Sequence, residues 1–478
     1  STAPLLDPLD EDSKVKMNLL FDNPILSQSA ATDLYYKIDF STHLGSPEKV
    51  REWVQEKAQS SLLLLRKLGS VADSQVALRL LTQCVATRFA HLARFIDPVI
   101  LEEVWDVFLS GLKSTLASLL GRQVGQNAWD QARLPIRRGG IGLASFSLHP
   151  HIAYHCARLN SADKANSILA SCSPRSSIST APLLDPLDED AKAKMNLLFD
   201  NPILSQSAAT DLYYKSNFLA LMLRLPVRDQ ARLRACSQKR SGAFISCIPS
   251  PGLKCSMPPT EHSNALSLRL GLPLFPLDYT CPNCLQPCSN QHAISCHHGG
   301  DVMRRHDRAL RNVFCEFMEQ RCGFLGSRKE TGFLSSDNHR EGDVMVPDFH
   351  GKDTYFDFAC YNPTIDSHHV GASVTDLFAA SQCQTRKTRA AKNRLEAMHG
   401  RVAFYPMAVE SFGGWGSIAT DVFRDIAMAA TRHQAQVPGG PELDYGEALN
   451  LIYSQLSCSL QTTIGRSILD RSPPQYYP

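Results

Sequence analysis

The chain has 478 residues, a formal net charge of +2, and 43% hydrophobic against 20% charged residues. This length favours roughly two to four domains, and the composition is that of an ordinary globular protein. No apolar run reaches the roughly 20 residues of a membrane-spanning helix, and the first residues lack the pattern of a secretory signal, so we expect no membrane partner.

The cysteine content indicates a reducing compartment. The 15 cysteines are odd in number and scattered along the chain, which does not suit a disulfide framework. We expect most of these thiols to behave as small buried hydrophobic groups in an intracellular protein. One group, described below, has the spacing of a metal site.

Residues 1–37 recur almost unchanged at 179–215. The two copies differ at two pairs of positions, Ser13/Ala191 and Val15/Ala193. Repeats that stack into solenoids diverge in sequence and occur at least three times. Two near-identical copies instead indicate a recent duplication or a faulty join in the coding sequence, and we assign them no function.

The next segment, residues 39–165, is predicted to be helical. Its apolar residues recur at helical spacing in three stretches. The third stretch begins at Asp97-Pro98, where Asp is a good N-cap and Pro fits the first turn, and it ends at Gly121. These features predict an N-terminal α-helical bundle, followed by a linker with helices over 166–275.

Four residues with the spacing of zinc ligands come next. In the pattern Cys281-x2-Cys284-x7-His292-x3-Cys296, two short arms can each close around one ion. Three thiolates and one imidazole fill all four positions of a tetrahedral site, which is typical of structural zinc. Three neighbouring residues are alternative ligands: Cys288, His297 and His298. A reduced loop without metal is the alternative interpretation.

The region after the zinc motif is predicted to combine helices and strands. An apolar stripe indicates a helix from about Asp301 to Arg321. Two β-like runs follow at 343–347 and 354–361, and Gly351-Lys-Asp353 supplies a hairpin turn between them. We therefore expect a C-terminal α/β domain.

Three acidic residues of this region are candidates for a metal site. Asp343 begins the first predicted strand, Asp357 lies within the second, and Glu330 precedes both. Carboxylates on adjacent strands can converge on one Mg²⁺ or Mn²⁺ ion, which prefers oxygen ligands. Such an ion polarises a phosphate and activates a water molecule, and a nearby lysine stabilises the developing charge. The pattern predicts metal-dependent cleavage of phosphodiester bonds.

In combination, these motifs resemble the C-terminal part of non-LTR retrotransposon polyproteins. The segment Leu134-Pro-Ile-Arg-Arg-Gly-Gly-Ile-Gly-Leu143 is similar to the one that follows their reverse transcriptase thumb. The ordered matches to their restriction-like PD-(D/E)XK endonuclease are the zinc motif, Arg305-His306, Glu330-x-Gly332, Gly342-Asp343-Val-Met-Val-Pro347, Asp357-Phe-Ala-Cys-Tyr-Asn-Pro363, and Pro406-Met-Ala-Val-Glu410 with Gly413-Gly-Trp415-Gly416. The resemblance covers most of residues 45–420.

The resemblance implies an enzyme that nicks DNA, in which Asp343 and Asp357 hold Mg²⁺ and Glu330 is a weaker third acid. Glu341-Gly342 replace the proline that usually precedes the first aspartate of the family. Pro347-Asp348 has the proline–aspartate wording but lies only nine residues before Asp357, whereas Asp343 has the wider spacing of the family. The lysine that usually lies two residues after the second acid is absent, and the family often supplies it from a downstream helix. The two candidates here are Lys387 and Lys392. The Tyr-X-Asp-Asp polymerase motif is absent from the sequence, so we expect no reverse transcription.

Basic residues indicate where nucleic acid binds. Although the net charge is small, cationic residues cluster just after the zinc motif and again from Arg386 to Arg401. We expect contacts to the DNA backbone, which position the protein without reading sequence, from Arg304, Arg305, His306 and Arg308. A solvated helix face is the alternative interpretation of either cluster.

These inferences predict an α+β multidomain chain with an N-terminal α-helical bundle, a small zinc knuckle and a C-terminal α/β restriction-endonuclease-like domain. The predicted divisions are a duplicated segment (1–38), a helical thumb-like region (39–165), a linker with helices (166–275), the zinc knuckle (276–300), the endonuclease domain (301–440), and a C-terminal helix and tail (441–478). The predicted function is metal-dependent nicking of DNA in the nucleus, with element RNA as a further partner. The alternative is a catalytically inactive nucleic-acid-binding remnant.

Overall fold

The computed structural model describes residues 47–94, 96–143, 149–172, 192–193, 195–196, 205–331, 342–437 and 443–473. The duplicated segment at 1–38 lies outside these residues, and its copy is described only in part. Contacts divide the chain into two compact units. Unit 1 comprises the described parts of Ser1–Leu65, Thr87–Gly111 and Ser145–Leu212, and unit 2 those of Arg66–Ala86, Leu112–Ala144 and Tyr213–Pro478.

Helices account for most of the described secondary structure. In chain order they are α1 (Pro47–Leu68), α2 (Ser74–Leu80), α3 (Arg88–Leu92), α4 (Pro98–Leu120), α5 (Gln126–Ala132), α6 (His149–Cys172), α7 (Gln206–Arg224), α8 (Val227–Cys236), α9 (Ala243–Ser246), α10 (Pro259–Arg269), α11 (Asn290–Ser295), α12 (Asp301–Arg304), α13 (Val313–Cys322), α14 (His369–Val374), α15 (Phe378–Ala397), α16 (Ser417–Gln436) and α17 (Tyr445–Leu469). Two π-helical segments occupy Leu81–Val85 and Arg305–Asn312, and a 3₁₀ turn occupies Ile136–Arg138. No helix of the described chain is both long and apolar enough to cross a membrane.

Unit 1 is helical in its described residues. An aromatic cluster lies at its centre, where the ring of Phe89 packs edge-on against Trp105 at 5.4 Å and Phe108 at 4.6 Å. Helix α4 begins at Pro98 and ends at Leu120, as the Asp97-Pro98 and Gly121 signals predicted. The Asp97 Oδ1 atom accepts a hydrogen bond from the backbone N–H of Val99 at 3.0 Å, so it caps the helix as expected.

Four strands of the described chain form one mixed sheet in unit 2. They are β1 (Arg328–Thr331), β2 (Gly342–Phe349), β3 (Lys352–Tyr361) and β4 (Val402–Glu410), in the order β1-β2-β3-β4. The first two pairings are antiparallel, whereas β3 and β4 are parallel. A parallel pair needs a crossover connection, and α15 supplies it and packs on both strands. The chain is therefore a mixed α and β protein, as predicted.

Helices cover both faces of the sheet. Side chains alternate between these faces along each strand, so each strand contributes to both contacts. On one face, Phe356 and Phe358 of β3 pack against Phe314 of α13, with ring centroids 4.9 and 5.1 Å apart. Helices α16 and α17 contribute to the same core. On the opposite face, Ala359 of β3 packs against Ala380 of α15. Residues of β3 with odd numbers thus share the face that α15 covers.

The glycine-rich segment at 134–143 forms a turn in unit 2. The guanidinium of Arg269, which is 2% exposed, donates hydrogen bonds to the carbonyl oxygens of Gly140, Ile136 and Cys236 at 3.2, 3.2 and 2.8 Å. No acidic side chain of the described residues pairs with this buried cation, and the carbonyl acceptors stabilise it. The segment therefore has a structural role in packing.

The predicted domain divisions differ from the compact units. Helix α10, in the predicted linker, packs along α17, in the predicted C-terminal segment. Both helices belong to unit 2 together with the zinc motif and the sheet. The predicted limits at 275, 300 and 440 therefore do not separate compact units, because long-range helix packing is not visible as a change in composition.

Candidate metal centres

The four predicted zinc ligands lie on a tight hairpin and on the short helix that follows it. Cys281 and Cys284 occupy the hairpin, which is closed by a hydrogen bond from the Cys281 N–H to the carbonyl oxygen of Gln286 at 2.8 Å. His292 lies on α11, and Cys296 directly follows the end of that helix. The hairpin and the helix thus each present two ligands.

The ligand atoms are close enough to share one ion, since all four lie within 4.8 Å of one another. The Cys284 Sγ atom is 3.2 Å from His292 Nε2 and 3.7 Å from Cys296 Sγ. In a tetrahedral zinc site with Zn–S bonds of about 2.3 Å, neighbouring ligand atoms are roughly 3.5–3.8 Å apart. The two measured separations are close to these values, so the four residues can hold a zinc-like ion.

The chemistry of the thiols fits the same role. Burial raises the pKa of Cys281, but backbone N–H groups and His292 outweigh that effect and bring it down to about 6. Burial raises the pKa of Cys288 to about 12. Cys288 is not a member of the described cluster, and neither are His297 and His298. Of the ligand combinations that the sequence allowed, the structure brings together Cys281, Cys284, His292 and Cys296, the four residues with the spacing of zinc ligands.

A buried ion pair connects this motif to the end of α17. The Arg471 side chain is 0% exposed and pairs with Asp301, whose side chain is 2% exposed. The same guanidinium donates a hydrogen bond to the carbonyl oxygen of His298, two residues after the last ligand, at 2.8 Å. The sequence did not reveal this pair, because its members are 170 positions apart.

The two predicted acids lie opposite each other on neighbouring strands. Val344 of β2 pairs with Phe356 of β3, and one further step in this antiparallel register brings Asp343 opposite Asp357. Residues in this relation project from the same face, with Cβ atoms about 4.5–5.5 Å apart. The two carboxyl groups are close enough for Asp343 to raise the pKa of Asp357. Their side chains are 17% and 19% exposed.

The third predicted acid, Glu330, lies on the other side of β2. Lys329 pairs with Val344 and Thr331 with Gly342, which places the backbone of Glu330 across from Asp343. The side chain of Glu330 lies outside the described residues. The backbones of the three acids therefore lie side by side on three neighbouring strands.

Of the two candidate lysines, the structure brings only Lys387 to this site. Lys387 lies on α15, and its Nζ atom is 2.5 Å from Asp357 Oδ1 and 3.3 Å from the carbonyl oxygen of Phe358. Lys392 is 69% exposed, and its Nζ atom lies 3.9 Å from Glu396 Oε1. The crossover helix therefore places a cation where a lysine two residues after Asp357 would otherwise be expected.

A histidine completes the cluster from the helical run before the sheet. The His306 Nε2 atom is 2.9 Å from Asp343 Oδ2, and its Nδ1 atom is 2.9 Å from Asp307 Oδ1. The N–H of Phe358 also donates to Asp343 Oδ2, at 2.5 Å. His306 begins the second turn of a helical run whose hydrogen bonding becomes π-helical at Arg305, a feature that is frequent at functional sites. The sequence predicted His306 as a DNA contact, whereas its ring here faces Asp343.

The electrostatics of the cluster separate its two acids. Burial raises the pKa of Asp343, but hydrogen bonds from His306 and Phe358 hold it below its ordinary value. Burial, together with the neighbouring Asp343, raises the pKa of Asp357 to about 6. The hydrogen bond with Asp343 raises the pKa of His306 to about 9. Asp343 and His306 therefore carry opposite charges at neutral pH, beside the more weakly acidic Asp357.

The other predicted DNA contacts differ in accessibility. Arg305 is 4% exposed, so its guanidinium does not reach the surface, and this prediction is corrected. Its burial follows from the position of the π-helical segment against the sheet. Arg304 is occupied by ion pairs with Asp301 and Asp470. Arg308 is exposed and free to contact a phosphate.

The proline–aspartate pair Pro347-Asp348 lies away from the acidic cluster. Asp348 is exposed and adopts a left-handed backbone conformation with φ of 55°. It lies in an irregularity of the β2–β3 pairing between Val346 and Phe349, beside the hairpin turn. Asp348 therefore lies in the irregular end of β2, and Asp343 is the acid that faces Asp357.

No protein-family model matches this chain, and no curated protein is detectably similar to it. The likeness to retrotransposon endonucleases consequently depends on the residue matches given above. The geometry of the two candidate sites is independent of that likeness.

Proposed function

We propose that unit 2 is a metal-dependent endonuclease that nicks DNA, as the resemblance to the endonuclease of non-LTR retrotransposons implies. The observation that supports this proposal best is the convergence of Asp343, Asp357 and Lys387. Two carboxylates on adjacent strands would hold the divalent ion, and the ammonium group from the crossover helix would stabilise the charge that develops on the phosphate.

The donor set of the acidic site suits a hard divalent cation. Asp343 and Asp357 offer carboxylate oxygens, the ligands that Mg²⁺ and Mn²⁺ prefer. The raised pKa of Asp357 reflects two acids held together under partial burial, an arrangement that a divalent cation stabilises. When bound, Mg²⁺ would polarise the phosphate and lower the pKa of the attacking water.

The chain's own side chains supply the remaining functions. Lys387 is close enough to Asp357 to stabilise negative charge on a phosphate bound at the two acids. His306 and the N–H of Phe358 fix the orientation of the Asp343 carboxylate through the same oxygen, Oδ2. Both carboxylates are therefore held in place by hydrogen bonds before substrate binds, which is the preorganisation that catalysis needs.

We further propose that the zinc motif binds one Zn²⁺ with a structural role. Cys281, Cys284, His292 and Cys296 would fill all four positions of a tetrahedral site and would leave none for a reacting water. The buried pair of Arg471 and Asp301 would then join the metal-bound hairpin to the helical run that carries His306.

The proposed reaction is tested by incubating the purified full chain with supercoiled plasmid and Mg²⁺. We expect conversion to the relaxed circle, dependence on the divalent ion, and loss of the reaction in Asp357→Ala. Circular dichroism and zinc content of the variant should match the unmodified chain. DNA binding by the unmodified chain without nicking, in Mg²⁺ and in Mn²⁺, would overturn the proposal and favour an inactive nucleic-acid-binding protein.

A further inference from the structure

A groove of about 610 Å³ lies between α15 and the N-terminus of α16. Gln384, Arg389 and Lys392 line it from α15, and Ser417 and Ile418 line it from α16. The other lining residues carry hydroxyl groups, and no lining residue is acidic. The groove therefore offers cations and neutral hydrogen-bonding groups to a ligand, which suits an anion.

The side chain of Gln384 indicates a missing partner. Gln384 is 6% exposed, and its Oε1 atom is buried without a hydrogen-bond partner among the described residues. A buried amide normally has its hydrogen bonds satisfied, because leaving one unmade costs about 1–3 kcal/mol. Rotation of the amide about its last bond exchanges Oε1 and Nε2, so that the group can present N–H donors to the groove.

The first turn of α16 provides a second set of donors. This helix is 20 residues long, and no side chain accepts a hydrogen bond from its N-terminal N–H groups at the N-cap, Gly416. Free N–H groups and the helix dipole together attract anions to such an end. A Cβ atom at Gly416 would lie 1.7 Å from Gln384 Oε1, so only glycine lets the amide lie against this helix end.

The groove and the acidic site share helix α15. Gln384 and Lys387 are three residues apart, and side chains at this spacing are neighbours on a helix surface. Lys387 reaches Asp357, whereas Gln384 faces the groove. A strand whose reacting phosphate lies at the acids would thus have a neighbouring phosphate within reach of the groove.

We infer that this groove binds a phosphodiester of the DNA strand next to the one that is cut, an inference that rests on the proposed function. Its ligands are the N–H groups of the first turn of α16, the amide of Gln384, and the cations of Arg389 and Lys392. Within the described residues, no acidic side chain forms an ion pair with the exposed Arg389, so its charge is available to a ligand.

The test is binding of a fluorescent DNA duplex to the full chain at several salt concentrations, with Ca²⁺ replacing Mg²⁺ to prevent cutting. Gln384→Glu places a negative charge in the groove with almost no change in shape, and we expect at least about tenfold weaker binding. Arg389→Ala should weaken binding of all sequences alike and lower the salt slope by about one. The matched control is Lys352→Ala, which removes an exposed cation at the start of β3 and should leave the affinity unchanged.

Unchanged affinity and salt slope in both Gln384→Glu and Arg389→Ala would overturn the inference. Arg389 is exposed, so its variant tests the groove even where Gln384→Glu does not fold. Failure of the nuclease proposal has a different signature. In that case the unmodified chain binds DNA and the groove variants weaken binding, but no variant and no metal ion gives nicking.

Discussion

Replacement of one proposed zinc ligand should abolish metal binding, whereas replacement of a neighbouring cysteine should not. Cys284 contacts two other ligands of the cluster, His292 and Cys296. Cys288 lies four positions further along the same motif but is not a member of the cluster. We therefore expect Cys284→Ser to lose stoichiometric zinc and Cys288→Ser to keep it.

The magnitude follows from the geometry of the site. The four ligand atoms lie within 4.8 Å of one another, and no other Cys or His of the described residues belongs to the cluster, so the loss of one thiolate is not compensated. Changes in the residues that merely support zinc ligands lower affinity about 10–100-fold, so loss of a direct ligand should exceed about 100-fold. Under zinc concentrations that saturate the unmodified chain, this corresponds to about 2.7 kcal/mol of unfolding free energy.

The assay is zinc content after dialysis, combined with chemical unfolding in the presence of zinc and of a chelator. Cys288 is 5% exposed, so serine there also lowers stability, by about 1–3 kcal/mol. Total stability therefore does not separate the two variants, but the difference between zinc and chelator does. That difference should vanish in Cys284→Ser and persist in Cys288→Ser. Equal zinc content in both variants, or none in the unmodified chain, would refute the reasoning.

Three further changes test the neighbouring parts of the structure. Lys387→Met should lower the nicking rate on saturating DNA about 10²–10³-fold. Lys392→Met should change DNA affinity but leave that rate within a few-fold. Equal rates in the two variants would contradict the assignment of Lys387 to the site. Arg471→Met leaves the carboxylate of Asp301 buried with Arg304 as its remaining partner. We therefore expect the free energy of unfolding to fall by about 3 kcal/mol. A loss under about 1 kcal/mol would argue against a stabilising pair of Arg471 and Asp301. Burial raises the pKa of Glu410 from 4.5 to about 7, so the folded chain binds the carboxyl proton more tightly than the unfolded chain does. The contribution of Glu410 to the free energy of unfolding therefore falls as pH rises from about 4.5 to 7. Glu410→Gln should flatten that fall in a urea-unfolding series, and an unchanged pH profile would exclude the buried carboxyl as its cause.

The zinc ligands were predictable because local spacing alone brings them together. A hairpin and one short helix contain all four residues, so no long-range packing had to be known. The helix boundaries at Pro98 and Gly121 were predictable for the same reason. The positions of Asp343 and Asp357 on two successive strands also followed from a local pattern, the alternation of residues beside a hairpin turn.

The remaining features depend on tertiary packing. Lys387 and Lys392 lie on the same helix, and their distances to Asp357 depend on how that helix crosses the sheet. The burial of Arg305 depends similarly on how a π-helical segment packs. Strand β4 was not predicted because Pro406 lies inside it, and proline is tolerated there because β4 is an edge strand.

The central claim concerns Asp343, and its most direct test compares two aspartates of one strand. Asp343→Ala and Asp348→Ala remove the same group from β2, but only Asp343 lies opposite Asp357. In single-turnover nicking of supercoiled plasmid with Mg²⁺, we expect Asp343→Ala to lose at least about 10²-fold in rate. Asp348→Ala should nick at the rate of the unmodified chain. Undiminished nicking by Asp343→Ala would contradict the assignment of the metal site.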